Sequence, residues 1–267
     1  MELPHRRRLL YLSEIVVIIG FAIALAAPTP SDAAEIKVLT TRAMNHVLTE
    51  LADAFQRTSE HKITLILAPP NEIRRRIVNG EIVDVAMSGS GIIDDLVQQG
   101  KITRDSKLIL ARVGRGVAVR AGAPKPDISS VEAFRRTLLA AKSIVYTDPA
   151  IGGGGAQLEK ILDRLGILKE IKAKSILNAR AATTPNAEIV ARGEAELGIQ
   201  LISEIVSVPG AELLGPFPAE LQVMNVIEAG IVTTASKPDA ARVLFKFLTS
   251  PAAAALIKAA GMEPGGS

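Results

Sequence analysis

Cysteine and tryptophan are absent from the 267 residues, histidine occurs three times, and aromatic residues make up only 3% of the chain. Without cysteine there is no disulfide framework, no thiolate zinc or iron–sulfur centre, no cysteine nucleophile and no lipid-anchored N-terminal cysteine. The three histidines are His5, His46 and His61, and no pair of them has metal-ligand spacing. No nucleophile elbow or related hydrolase motif is found either. Strong charge imbalance is also lacking: Lys+Arg 31 against Asp+Glu 28 leaves a formal net charge of +3. The sequence pI of about 9.2 is therefore no footprint for nucleic acid. What is plentiful is apolar: 48% of residues are hydrophobic and 22% charged, which excludes disorder. The length allows one large or two moderate domains.

Part of the apolar content sits at the N-terminus. His5-Arg6-Arg7-Arg8 is a basic segment, Ile15–Ala27 is uncharged and apolar, and Ser31-Asp32-Ala33 places small residues at a cleavage site. Residues 1–33 therefore read as a secretory signal peptide cut after Ala33, its apolar run too short to span a bilayer comfortably. An uncleaved anchor is the alternative, and Glu14 interrupts it. Cleavage removes Arg6, Arg7 and Arg8 together with Glu2, Glu14 and Asp32, three charges of each sign, so the mature net charge stays +3.

Beyond residue 34, strand-like and helix-like stretches alternate. Glu35–Leu39, Ile63–Leu67 and Val83–Met87 read as strands. Met44, Val47, Leu48, Leu51 and Phe55 recur at helical spacing, and Gly80 and Gly100 stop two further helices. Leu108–Val119 is apolar and broken at Gly114-Arg115-Gly116. Ser129-x-x-Glu132 reads as a capping box. Ser143–Tyr146, Ile171–Leu177, Leu197–Leu201 and Val223–Thr234 read as strands; Leu158–Leu165, Ala187–Ala191, Pro238–Leu248 and Pro251–Ala260 read as helices. The expected class is α/β with mostly parallel sheets flanked by helices.

In such sheets ligands bind beyond the carboxyl ends of the strands. The residues there are Thr40-Thr41-Arg42, Asn71, Ser88 and the glycine run that includes Gly153 and Gly154, with Thr183 ahead of a further helix. They are small, hydroxylated or cationic, and each leads into a helix N-terminus, which suits an anion. Taken singly, Thr40, Ser88 and Thr183 could equally be helix caps, and the glycines a turn. Arg42 is the sharpest, a cation directly after the first strand. Neither a catalytic base nor a nucleophile stands out, so the chain is expected not to be an enzyme, with no metal and no cofactor.

The order of VLTTRAMNHVLTELADAFQ, IVNGEIVDVAMSGS, VAVRAGAPKPDIS, IVYTDPAIGGGG, ARGEAELGIQLISEI and FLTSPAAAALIKAAGMEP resembles bacterial extracellular solute-binding proteins of the molybdate-binding type. The resemblance implies a two-lobed type II periplasmic binding protein fold with two crossover strands, near Arg115–Arg120 and Asn225–Gly230. Lobe one would be residues 34–117 plus 226–267, and lobe two 118–225. It also implies a monomeric periplasmic receptor that hands a small anion to an ABC permease in the inner membrane, neither spanning the membrane itself nor binding nucleic acid. Hydroxyl contacts to molybdate expected from this family fall on Ala43, Pro70 and Leu201, which have no hydroxyl, while backbone donors at Gly154 and Thr183 survive. An organic acid therefore fits better than molybdate, because arginine favours planar carboxylates. The alternatives are an exported lyase or transferase acting on a small acid, and a sensing module without transport.

Overall fold

A computed structural model describes residues 33–151, 153–181 and 183–265. Apart from Ala33, the expected signal peptide lies outside them. Strand β1 (Glu35–Thr40) passes through a 3-10 turn at Arg42–Met44 into helix α1 (Asn45–Thr58), whose Val47, Leu48, Leu51 and Phe55 form one buried stripe. β2 (Lys62–Leu67) leads into α2 (Pro70–Val78), with Pro70 where a helix needs no N–H. β3 (Val85–Gly89) leads into α3 (Ser90–Gln98). Gly80 and Gly100 follow α2 and α3 with φ of 84° and 67°, the left-handed conformation that glycine adopts without strain.

Gly114 alone separates β4 (Leu108–Val113) from β5 (Arg115–Arg120). Then follow α4 (Val131–Ala140), β6 (Ile144–Thr147), α5 (Gly153–Arg164), α6 (Leu168–Lys172), β7 (Ser175–Asn178), α7 (Asn186–Ala191), β8 (Leu197–Leu201), α8 (Ile202–Val206) and β9 (Ala211–Pro216). The chain closes with β10 (Asn225–Ile231), α9 (Pro238–Leu248), α10 (Pro251–Ala259) and β11 (Glu263–Pro264).

The strands form two sheets, ordered β11-β4-β10-β3-β1-β2 and β7-β6-β8-β5-β9. Each has a parallel core, β2-β1-β3 and β7-β6-β8. The remaining pairings are antiparallel, so the sheets are mixed rather than uniformly parallel. The reason lies in the crossings. Both parallel cores point their carboxyl ends at the other sheet, so a strand entering from the other sheet starts at that end and runs away from it. β5 and β10 do this, and each is antiparallel to its core neighbour.

Helices cover both faces of each sheet. In the first, Ile36, Val38, Val85 and Met87 pack with α1, α9 and α10, and Leu39 and Ala86 pack on the other side with Ile73, Ile77, Ile93 and Leu96 of α2 and α3. In the second, Val117, Tyr146 and Ile199 meet Phe134, Leu138, Leu158 and Leu162 of α4 and α5. Asp84, fully buried at the amino end of β3, accepts hydrogen bonds from Lys37 N (2.9 Å), Lys237 N (2.8 Å) and the Ser236 hydroxyl (3.1 Å). It thereby ties β1, β3 and the start of α9 together. At the crossing, the Gln222 amide accepts from Arg115 N (2.8 Å) and donates to Arg115 O (2.9 Å). A Cβ on Gly114 would lie 2.7 Å from the Gln222 nitrogen, so the crossing has no room for a side chain there.

Several local expectations change. The cap of α4 is Ser130, whose hydroxyl accepts from Ala133 N; the Ser129 N–H instead donates to Asp127. Ile171–Leu177 is not one strand but the end of α6 followed by β7. Gly153, Gly154 and Gly155 lie in the first turn of α5, which begins five residues earlier than the apolar pattern suggested. A Cβ on Gly155 would sit 2.0 Å from Thr147 O, so that glycine lets α5 press against the end of β6. α8 and β9 were not anticipated. Among the described residues no single helix is long and apolar enough to cross a membrane.

Candidate functional site

A cleft of ≈ 1790 Å³ lies between the carboxyl ends of the two parallel cores. The first sheet's side supplies Thr41, Arg42 and Ala43 after β1, Ala68–Pro70 after β2, and Gly89 after β3. The second sheet's side supplies Arg115 from β5, Thr147, Gly154 and Gln157 around α5, Thr183, and Gln200, Ser203 and Glu204 around α8.

Among the described residues two polar side-chain contacts join the sides, next to the apolar packing of Leu201 and Ile202 on the first core. The Arg42 guanidinium pairs through Nη2 with Glu204 Oε1 at 3.0 Å, and the Ser203 hydroxyl donates to Ala43 O at 3.1 Å. Glu204 is further held by the Gln200 amide, which donates to its Oε2 at 2.9 Å. A second guanidinium, that of Arg115, is only 7% exposed and donates to Gln157 Oε1 from Nη2 (2.8 Å) and Nε (3.3 Å). Burial disfavours its charged form and pulls its pKa down, against the opposing attraction of Glu204. An ideal Cβ on Gly154 would be 3.5 Å from Arg115 Nη1, so the start of α5 borders this guanidinium. Tyr146, at the end of β6, donates to Glu159 Oε1 at 3.1 Å; burial and that carboxylate push its phenol up to about 12.

The second side is internally satisfied. Asn178 Nδ2 donates to Asn186 Oδ1 and Thr184 O, both at 2.8 Å, and Asn186 Nδ2 donates to Ile199 O at 2.9 Å. Gln200 Oε1 accepts from Ala187 N at 3.0 Å, which serves an otherwise free donor in the first turn of α7. The first side is not satisfied. Among the described residues the buried side-chain polar atoms without a partner are Thr40 Oγ1, Arg42 Nη1, Ser88 Oγ and Glu228 Oε2. All four belong to the carboxyl end of the first sheet's core, since Glu228 stands opposite Ser88 in register. Buried polar groups are normally paired, so this end of the sheet departs from the rule beside the cleft.

The sequence-named residues fall into three groups. Thr41, Arg42, Gly154 and Thr183 line the cleft, and Gly153 stands beside Gly154 in the first turn of α5. Thr40 and Ser88, both 0% exposed, lie beneath the cleft floor rather than in its lining; neither caps a helix, since Gly89 holds that place for α3. Thr183 is no cap either, as Pro185 precedes α7. Asn71 is exposed on α2, outside the lining. Ala43, Pro70 and Leu201, where family hydroxyls were expected, do line the cleft. Sequence reasoning passed over Arg115, Gln157, Gln200 and Glu204. Glu204 lies three residues past the end of β8, within α8, at the strand end where ligands bind in such sheets. Among the described residues no group of three acidic or histidine side chains could hold a metal ion.

Two helix-covered mixed sheets, a polar cleft between their core strand ends, and two crossings define a two-lobed binding protein of the type II periplasmic fold. The chain belongs to the bacterial extracellular solute-binding protein family, whose profile matches residues 36–263. Families of this kind bind small ligands and work with membrane permeases. The molybdate-binding protein ModA of Azotobacter vinelandii is 26% identical over 255 residues, covering 94% of this chain and 97% of that protein. The solved periplasmic molybdate-binding protein of the same organism superposes with a TM-score of 0.69 over 85% of this chain and 98% of that one, at 23% identity. A third relative, an aconitate isomerase of a Pseudomonas species, is 35% identical over 250 residues, covering 90% of this chain and 93% of its own length. That relative corrects the expectation that the chain is not an enzyme. The expectation rested on missing histidine, cysteine and serine motifs, and proton transfer needs no such motif: one positioned carboxylate suffices.

Proposed function

We propose that the cleft binds a small organic acid with two or more carboxylates, and that the chain isomerises it by shifting a double bond; its Pseudomonas relative is named an aconitate isomerase. The observation that carries the reading is the pair of guanidiniums facing one cleft, Arg42 and Arg115, with Arg42 Nη1 buried and unpartnered. A planar guanidinium fork matches a planar carboxylate and favours it over a tetrahedral oxyanion. The missing hydroxyls at Ala43, Pro70 and Leu201 support the same choice, because a buried dianion needs most of its oxygens satisfied. Thr41, Gly154 and Thr183 are the further contacts proposed. Thr40, Ser88 and Gly153 would support them from below or beside the cleft, and Asn71 would act only if α2 turned inward. The basic-then-apolar N-terminal segment supports a periplasmic location.

The test is thermal unfolding with cis-aconitate, trans-aconitate, citrate, molybdate and sulfate, followed by proton NMR of each shifted acid. A ligand at a hundred times its Kd adds about 2.7 kcal/mol of stability, a clear upward shift. Stabilisation by the tricarboxylates with interconversion of the aconitates bears out the reading. Stabilisation by molybdate alone overturns it. A second reading, a receptor that passes the same acid to a permease, is favoured by the two-lobed fold and the interlobe Arg42–Glu204 contact. It predicts the same shift without interconversion.

A further inference from the structure

We propose that Glu204 is the catalytic acid–base group of this cleft, the carboxylate that carries the proton between two carbons of a propene tricarboxylate. The inference rests on the isomerase reading and assigns its central step to a residue. Two acids line the cleft, Glu188 and Glu204. Glu188 is 44% exposed and pairs with Arg192, whereas the Glu204 side chain is 12% exposed and faces the guanidinium that holds substrate. Arg42 lines the cleft, turns Nη2 to Glu204 and leaves Nη1 buried without a partner. A substrate carboxylate that gains Nη1, by a small turn of the Arg42 guanidinium, would lie beside the Glu204 carboxylate on one planar fork. The carbon next to that carboxylate, whose C–H bond it acidifies, then stands within reach of a Glu204 oxygen. The Gln200 amide on Oε2 fixes the carboxylate's plane, and Gln200 is fixed by Ala187 N.

The step balances without a co-reactant. Glu204 takes a proton from the methylene carbon, and the electron pair of that C–H bond forms the new carbon–carbon double bond. The electrons of the old double bond move to the far carbon, where its carboxylate spreads the charge. The Glu204 carboxylic acid then returns the proton to that carbon. Arg42 and Arg115 would stabilise the carboxylates on which negative charge builds. No atom is gained or lost, and the geometry about the shifted double bond is free to change.

The test follows trans-aconitate with the full chain in deuterium oxide by proton NMR, alongside calorimetric binding and thermal melting. Glu204→Gln is expected to slow interconversion and deuterium entry at least ~100-fold, the range in which positioned acid–base groups act. Binding is expected to hold or tighten, because Arg42 loses its competing anion. In Glu204→Ala, added acetate is expected to restore part of the lost rate. A wild-type chain that binds the acid without interconverting it overturns the isomerase reading and this proposal together. A Glu204→Gln protein that keeps the wild-type rate overturns this proposal alone. If that variant does not fold, a folded Glu204→Ala protein that acetate cannot rescue overturns it as well.

Discussion

The two ends of the first sheet treat buried polar groups in opposite ways. At the amino end, Asp84 is 0% exposed and every contact is made: two backbone N–H groups and a hydroxyl converge on its carboxylate. At the carboxyl end, Thr40, Ser88, Arg42 and Glu228 each leave a buried polar atom without a partner. Both ends share strands, helices and core, so fold alone does not account for the difference. A paired buried group contributes to stability, while an orphaned one costs it. The sheet spends its satisfied polar groups on holding itself together and keeps its unsatisfied ones at the end that faces the cleft, Arg42 in the lining and the other three beneath it. The second sheet sharpens the contrast. Its carboxyl end is knitted by Asn178, Asn186 and Gln200, so that side is already organised before a ligand arrives.

The largest effect should come from Asp84→Ala. It removes the partner of the part-buried N–H groups of Lys37 and Lys237 and empties a fully buried position, and should lower the unfolding free energy by about 2 kcal/mol, since a buried donor left without its partner costs roughly 1–3 kcal/mol. Urea unfolding measures it; an unchanged midpoint would erase the contrast between the ends. Next comes Arg42→Ala, read on ligand rather than fold. Losing charge-assisted bonds to a carboxylate should weaken trans-aconitate binding about tenfold or more, at roughly 1.5–3 kcal/mol. Calorimetry with unchanged affinity would remove Arg42 from the site. The smallest effects belong to Thr40→Val and Ser88→Ala. Replacing an unpaired buried hydroxyl by an apolar group of similar size should leave stability unchanged or raise it by about 0.5–1 kcal/mol. A loss as large as that of Asp84→Ala would mean that those hydroxyls are engaged after all.

How far the sequence carries can be judged on particular elements. α1 was legible because Val47, Leu48, Leu51 and Phe55 repeat at helical spacing over about two turns, and α9 because Pro238 marks its start. α8 has five residues, too few for a helical period to show, and α6 is equally short. The adjacent serines Ser129 and Ser130 both precede the α4 pattern, and only the backbone decides which hydroxyl reaches the helix. Arg42 was found because it directly follows a strand. Arg115 was noticed only as part of a crossing, since nothing local says that β5 begins at the cleft. The pairing of Arg42 with Glu204 is tertiary, made by residues far apart in the chain that follow strands of different sheets, and no spacing announces it.

The crossing itself has one more consequence. Arg115 is both the first residue of β5 and a wall of the cleft, and Gln222 grips its backbone from the second connection. Guanidinium and junction are thus parts of one residue, held next to Gly114. The residue that joins the two sheets is therefore also one that lines the cleft, so a bend of the crossing would move a cleft guanidinium with it.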